Sequence, residues 1–134
     1  MTHYFLTGAS AGIGAALATR LCENGHRVSA VARRDDRLAT MATKLRGFWS
    51  AGCDVTMAGQ LAESVAAAEK AQGGIDVAIL NAGIYQPQDG SAIDPAIYAN
   101  HMDVNYMGVV NALAAIVPRM IARGGGHIVI ISSV

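Results

Sequence analysis

Three glycines, Gly8, Gly12 and Gly14, lie where an apolar run becomes a helical pattern, in the segment LTGASAGIGAAL. A glycine inside a helix is less favourable than an alanine by about 1 kcal/mol. Their presence indicates that this part of the backbone has to remain bare. The segment therefore predicts a strand that turns directly into a helix, with another group approaching the backbone closely at the turn.

Strand patterns and helix patterns alternate along the rest of the chain. Short apolar runs predict strands at His3–Thr7, at Arg27–Ala32, and within FWSAGCDV, IDVAILNAG and HIVIIS. The last of four predicted helices runs from about Ala96 to Arg123, and its spacing predicts one apolar stripe formed by Met102, Tyr106, Val109, Leu113, Val117 and Met120. This order predicts an α/β fold with a doubly wound parallel sheet, in one domain over residues 1–134.

The composition argues against several classes of protein. Ten Lys and Arg residues balance ten Asp and Glu residues, so no nucleic acid or anionic membrane is indicated as a partner. No apolar run approaches the ~20 residues of a membrane span, and the first residues lack the pattern of a signal peptide. Cys22 and Cys53 lack metal-ligand spacing, and the four histidines are scattered, so no metal site is predicted. A cytoplasmic protein is expected.

The glycine turn has two interpretations. In a doubly wound sheet, the turn after the first strand holds the pyrophosphate of a dinucleotide, which backbone N–H groups and the helix dipole attract. The alternative is a turn whose glycines only allow tight packing of the helix on the strand. The order of strand, turn and helix is the context that a dinucleotide site requires, and it favours the first interpretation.

The spacing T-G-x-x-x-G-I-G, Thr7–Gly14, resembles the motif of the short-chain dehydrogenase/reductase family. Four further segments match in order: CDV at Cys53–Val55, NAG at Asn81–Gly83, and the segments MDVNYMGVVN and GGHIVIISSV. Leu80 replaces the asparagine that usually precedes NAG. The resemblance covers the whole chain. It implies a Rossmann fold and an enzyme that transfers hydride between a nicotinamide cofactor and a carbonyl or alcohol.

The resemblance also implies roles for individual residues. Asp54 would bond the adenine amino group, Ser133 the substrate oxygen, and Asn105 would support a proton-relay water. The cofactor-binding set predicted from the turn and the motifs is Thr7, Gly8, Ser10, Gly12, Ile13, Gly14, Arg33, Arg34, Asp54, Val55, Asn81, Ala82 and Gly83.

Two arginines follow the second predicted strand, which ends at Ala32. An NAD enzyme usually has an acidic residue there for the ribose 2′-hydroxyl, whereas an NADP enzyme has an arginine for the 2′-phosphate. Asp35 or Asp36 is expected to cap the next helix instead. The cofactor is therefore predicted to be NADP rather than NAD, and the alternative is that Arg33 is a solvated surface charge.

The family's general acid is a tyrosine followed four residues later by a lysine, and no Tyr-x-x-x-Lys occurs in these 134 residues. A phenol with an ordinary pKa near 10 needs a neighbouring cation before it can exchange protons near neutrality. We therefore expect the N-terminal part of a reductase, truncated after the fifth strand, inactive alone, and homo-oligomeric in its full-length form. The alternatives are a non-catalytic dinucleotide-binding module or inactive remnant, and a methyltransferase, against which Arg33 and the NAG segment argue.

Overall fold

Five parallel strands form one sheet in the order β3-β2-β1-β4-β5. The computed structural model describes residues 1–133. Its strands are β1 (His3–Thr7), β2 (Arg27–Ala32), β3 (Phe48–Gly52), β4 (Val77–Leu80) and β5 (His127–Ile130). The helices between them are α1 (Gly12–Glu23), α2 (Asp35–Ala42), α3 (Ala58–Gln72), α4 (Pro95–Met102) and α5 (Gly108–Ala122). The predicted Rossmann architecture is confirmed, and the strand order reverses between β1 and β4.

Each face of the sheet has its own apolar core. On one face, side chains of β1 and β4 such as Phe5 and Ala78 pack against α3 and α5, with Leu61 and Ile116 fully buried. On the other face, alternate residues of the same strands pack against α1 and α2. A strand that is covered on both faces has to be apolar throughout, which explains the uninterrupted apolar sequence VAIL of β4.

The long predicted helix forms, but it contains a π-helical segment, Asp103–Met107, between α4 and α5. A π turn accommodates an extra residue, so it shifts the face that the next helix presents to the core. The predicted apolar stripe is therefore wrong in part, because Met102 and Tyr106 are exposed. The buried positions are instead Val104, Gly108, Ala112, Ile116 and Met120.

Length and hydropathy alone would allow the continuous helical stretch Pro95–Ala122 to cross a membrane. Core helices of soluble proteins often meet the same two criteria. Here the α5 portion packs against α3 and β4, and its small residues Gly108 and Ala112 permit a close approach. This packing accounts for the buried face of α5, whereas α4 has no buried residue and 28% of the apolar stretch is buried.

A buried histidine organises the amino end of the sheet. The Nδ1 of His3 lies 2.8 Å from the carbonyl oxygen of Gly73 and 3.2 Å from that of Gly74, so Nδ1 carries the proton. Its Nε2 therefore accepts from the Ser29 hydroxyl at 2.8 Å, and its backbone N–H donates to Asp76 at 2.8 Å. The fully hydrogen-bonded ring belongs to the scaffold and lies at the end of β1 remote from Thr7.

Acid is expected to destabilise the fold through His3. Burial lowers the pKa of its imidazole below the ordinary 6.5, outweighing the raising effect of the Gly73 carbonyl. Below pH 6.5, the unfolded chain therefore binds more protons at His3 than the folded chain does. The part of the unfolding free energy that His3 contributes above pH 6.5 is lost as the pH falls towards the lowered pKa. The melting temperature of the wild type should therefore fall more steeply below pH 6.5 than that of His3→Gln. Parallel pH profiles for the two proteins would contradict this assignment.

Candidate functional site

A groove of about 320 Å³ lies at the carboxyl ends of the strands, beside the point where the strand order reverses. Open α/β sheets bind their ligands at this position, because the loops that leave neighbouring strands in opposite directions open a crevice there. Turns after β1, β2, β3 and β4 and one residue of the π-helical segment line the groove: Gly8, Ser10, Ala11, Gly12, Ala32, Arg33, Arg34, Cys53, Asp54, Val55, Asn81, Ala82, Gly83, Ile84 and Val104.

The glycine turn is bare because the chain packs against itself there. Gly8 has a positive φ of 68°, and a Cβ on it would lie 2.7 Å from the Cα of Ala82. A Cβ on Gly14 would lie 2.1 Å from the carbonyl oxygen of Gly8 and 2.8 Å from the Nδ2 of Asn81. Any side chain at these two positions would push α1 or the β4 turn out of place. The close backbone approach predicted from the sequence is therefore present.

Polar contacts between β1 and β4 fix the floor of the groove. The hydroxyl oxygen of Thr7 accepts from the backbone N–H groups of Asn81 and Ala82, both at 3.0 Å. The side-chain amide of Asn81 donates back to the carbonyl of Gly8 at 3.1 Å. These three bonds hold the glycine turn and the NAG segment together across the crevice.

One end of the groove carries charge of both signs. Arg33 and Arg34 follow β2, and Arg34 is the N-cap residue of α2. The carboxylate of Asp54 accepts from the backbone N–H and the hydroxyl of Thr56, at 2.9 and 2.8 Å. These bonds, with a smaller effect of Arg33, hold the pKa of Asp54 below its usual value, so this carboxylate is ionised at neutral pH.

The expected capping role of Asp35 or Asp36 is wrong. The helix begins at Asp35 itself, so both residues lie in its first turn, and no side chain makes a cap hydrogen bond there. Acidic residues in a first turn still interact favourably with the helix dipole. Neither carboxylate lines the groove among the residues that the structure describes.

Asn105 lies in the π-helical segment and holds the loop that follows β4. Its Oδ1 accepts from the backbone N–H of Ile84 at 2.7 Å, and its Nδ2 donates to the carbonyl of Ile84 at 2.8 Å. The side chain is thus engaged with the backbone of the groove wall. Ser133 is exposed and lies three residues beyond the end of β5. Within residues 1–133, the groove lining includes neither Asn105 nor Ser133.

Ten of the thirteen predicted cofactor residues line the groove, and the other three do not. Thr7 bonds the backbone of Asn81, and Gly14 packs against the carbonyl of Gly8, so both contact groove residues without lining the groove. Ile13 is 61% exposed. The prediction omitted Ala11, Ala32, Cys53, Ile84 and Val104. Ile84 directly follows NAG and could have been found from that position, whereas Val104 lines the groove only because the last helix runs alongside it.

No metal site accompanies the groove in the part of the chain that the structure describes: residues 1–133 contain no group of three or more His, Cys, Asp or Glu side chains placed to share an ion. Burial raises the pKa of the Cys53 thiol, which therefore contributes an uncharged sulfur to the groove wall. The ionic groups of the groove are thus Arg33, Arg34 and Asp54.

Comparison with known proteins identifies the family. A family model described as short chain dehydrogenase matches residues 2–134. The chain belongs to the short-chain dehydrogenase family. The predicted family and fold are confirmed, and the family acts on small molecules with a dinucleotide cofactor.

Individual relatives are named for related chemistry. The chain is 40% identical to glycine betaine reductase ATRR of Emericella nidulans over 134 residues, covering 96% of this chain and 10% of that protein. It is 33% identical to the NADP-dependent 3-hydroxy acid dehydrogenase YdfG of Salmonella typhi, covering 96% of this chain and 52% of that protein.

Among solved structures, a variant of actinorhodin polyketide ketoreductase with NADPH superimposes with a TM-score of 0.92 at 30% identity. That match covers 98% of this chain and 53% of the ketoreductase. The chain thus spans about half the length of this structure and of YdfG, and a tenth of ATRR. A nicotinamide dinucleotide is the cofactor that these similarities support.

Proposed function

We propose that this chain forms the NADP(H)-binding part of an oxidoreductase that transfers hydride to or from a carbonyl or alcohol. The observation that carries the proposal is the convergence of the glycine turn, the NAG segment, Asp54 and the two arginines on one groove at the strand-order reversal. The bare turn at the start of α1 would hold the pyrophosphate, because backbone N–H groups and the helix dipole favour an anion there.

The groove favours NADP over NAD at its arginine end. Ala32 stands where an acidic residue would accept from a ribose 2′-hydroxyl, and Arg33 and Arg34 follow it. A hydrogen bond from a guanidinium to a phosphate contributes about 1.5–3 kcal/mol, a factor of roughly ten to a hundred in affinity. Asp54, held ionised by Thr56, would accept from the adenine amino group. The NADP-dependent relative and the NADPH-bound neighbour support this choice.

The hydride itself would come from the nicotinamide of the bound cofactor. Among the residues of this chain, Ser133 would donate a hydrogen bond to the substrate oxygen. Asn105 would fix the groove wall through Ile84. An unactivated hydroxyl is a poor acid and an asparagine does not titrate, so a Tyr-x-x-x-Lys pair outside these 134 residues would supply the proton.

The second candidate function is a dinucleotide-binding module without catalysis. It rests on the same groove and on the absence of Tyr-x-x-x-Lys from the 134 residues. The two functions differ in what lies beyond this stretch of sequence, since a tyrosine and lysine at that spacing are required only by the oxidoreductase. We also propose a cytoplasmic location, where NADP(H) would be available.

The purified 134-residue chain is expected to bind NADPH but to show no NADPH oxidation with a panel of ketones, aldehydes and quinones. Loss of a general acid alone typically lowers a rate by ~10²–10⁴-fold. The measurement is the decrease of NADPH absorbance, and Ser133→Ala serves as the control for contaminating reductases. Turnover that co-purifies with the chain and disappears in Ser133→Ala would contradict the assignment of the proton donor.

A further inference from the structure

A histidine that the proposed mechanism does not use holds the loop that continues from the groove wall at Ile84. The Nε2 of His101, on α4, accepts from the backbone N–H of Gln86 at 2.8 Å. One helical turn later, Asn105 bonds both backbone groups of Ile84. The two side chains therefore grip alternate residues of the same loop from one face of the helix.

The two contacts run in opposite directions along the loop and the helix. Asn105 bonds Ile84, whereas His101, four residues earlier on the helix, bonds Gln86, two residues later in the loop.

The hydrogen bonds fix one protonation state of the ring. The Nδ1 of His101 lies 2.7 Å from the carbonyl oxygen of Ile97, so Nδ1 carries a proton and donates it. Nε2 then has to be unprotonated, because its partner, the Gln86 N–H, is also a donor. A proton on Nε2 would face the N–H of Gln86, so two donors would meet and this hydrogen bond would break.

The titratable neighbours of the His101 ring come from the loop and from α4. It borders a second cavity, which is lined by Tyr85, Gln86, Pro87, Gln88, Ile97, Tyr98 and His101. Tyr85 from the loop and Tyr98 from α4 are the other titratable groups of that lining. The carboxylates of Asp89, in the loop, and Asp94, the N-cap residue of α4, accept from the backbone N–H groups of Ser91 and Ala96. Asp103, two positions along the helix, lies on a different face.

We propose that His101 is a positioning residue whose neutral imidazole fixes Gln86, two residues beyond the groove wall at Ile84, and that protonation of the ring releases this end of the loop. Ile84 links this loop to the dinucleotide groove, because it lines the groove and is itself held by Asn105. Acid would loosen the contact at Gln86 while the Asn105 contact remains. The effect on cofactor affinity rests on the proposed function, whereas the grip on the loop does not.

The test compares the ¹⁵N-labelled 134-residue chain with His101→Leu and His101→Gln. The leucine removes the acceptor, whereas the glutamine places an oxygen near the position of Nε2 and cannot be protonated there. His127→Gln is the matched control, since His127 is an exposed histidine at the opposite end of the sheet. Nuclear magnetic resonance reports the protonated nitrogen of His101 and the exchange protection of the Gln86 amide, at about pH 8 and about pH 5.

At the higher pH, the Gln86 amide should be protected in the wild type, in His101→Gln and in the control, but not in His101→Leu. At the lower pH, only His101→Gln should keep this protection. At the higher pH, the dissociation constant for NADPH should rise roughly three- to tenfold in His101→Leu and stay within about twofold in His101→Gln.

Protection of Gln86 that survives in His101→Leu would overturn the proposal, as would unchanged NADPH affinity in that variant. Equal acid sensitivity of Gln86 in the wild type and His101→Gln would overturn it too. If the wild type bound no NADPH, the proposed function would fail separately, and the Gln86 signals would still decide the role of His101. The wild-type pH titration needs no substitution, so the test remains informative even if one variant does not fold.

Discussion

Replacing Gly14 by alanine is expected to abolish measurable NADPH binding. The new Cβ would lie 2.1 Å from the carbonyl oxygen of Gly8, a backbone atom that cannot rotate away. To relieve this contact, α1 has to move away from β1, which opens the glycine turn and separates Asn81 from Gly8. Overpacking of this kind costs about 1–3 kcal/mol of stability. We expect the affinity for NADPH, measured by calorimetric titration, to fall by more than about a hundredfold, equivalent to roughly 2.7 kcal/mol.

Gly59→Ala is the matched control for this substitution. Gly59 lies in the first turn of α3, and a Cβ placed on it meets no atom within 4 Å. Where the backbone conformation suits alanine, such a change stabilises a protein by about 0.4–1 kcal/mol. Its NADPH affinity should equal that of the wild type. Wild-type affinity in Gly14→Ala as well would mean that the dinucleotide does not bind at the turn.

Replacing Arg33 by alanine is expected to weaken NADPH binding by roughly ten- to a hundredfold while changing NADH binding little. The guanidinium follows Ala32 at the end of β2 and lines the groove, where it would meet the 2′-phosphate that only NADPH carries. Removal of this cation also removes one influence that keeps Asp54 ionised, although its bonds to Thr56 remain. The ratio of the two dissociation constants is the quantity to measure.

Arg37→Ala controls for the loss of one positive charge. Arg37 is exposed on α2, four residues beyond Arg33, and is not part of the groove lining within the described residues. Both cofactors should bind this variant about as they bind the wild type. Equal losses for NADPH and NADH in Arg33→Ala would show that Arg33 does not distinguish them.

The fold could be predicted from sequence because its determinants are local. An uninterrupted apolar run such as VAIL in β4 predicts a strand that is covered on both faces. A glycine such as Gly14 marks a position where no side chain fits. Both signals can be recognised in the sequence alone. The turns that follow parallel strands necessarily meet at one edge of the sheet, so most groove residues could be predicted as well. Arg33, directly after β2, and Asp54, two residues beyond the end of β3, are examples.

The features that could not be predicted from the sequence depend on contacts between residues that are distant along the chain. The π-helical segment changes which face of the last helix is buried, and Met102 and Tyr106 are consequently exposed. The engagement of Asn105 with Ile84 could not be predicted from either residue, because they are distant in sequence and both contacts involve backbone groups. The contact of His101 with the backbone of Gln86 could not be predicted for the same reason, because in the sequence His101 is one of four scattered histidines.

The most direct test of the account is a titration of the wild-type 134-residue chain with NADPH and, separately, with NADH. Gly14→Ala, whose turn should be disrupted, provides the non-binding control. We predict saturable binding of one NADPH per chain, at least about tenfold tighter than the binding of NADH, because only NADPH would place a 2′-phosphate near Arg33 and Arg34. Failure of the folded chain to bind either cofactor, or tighter binding of NADH, would contradict the account.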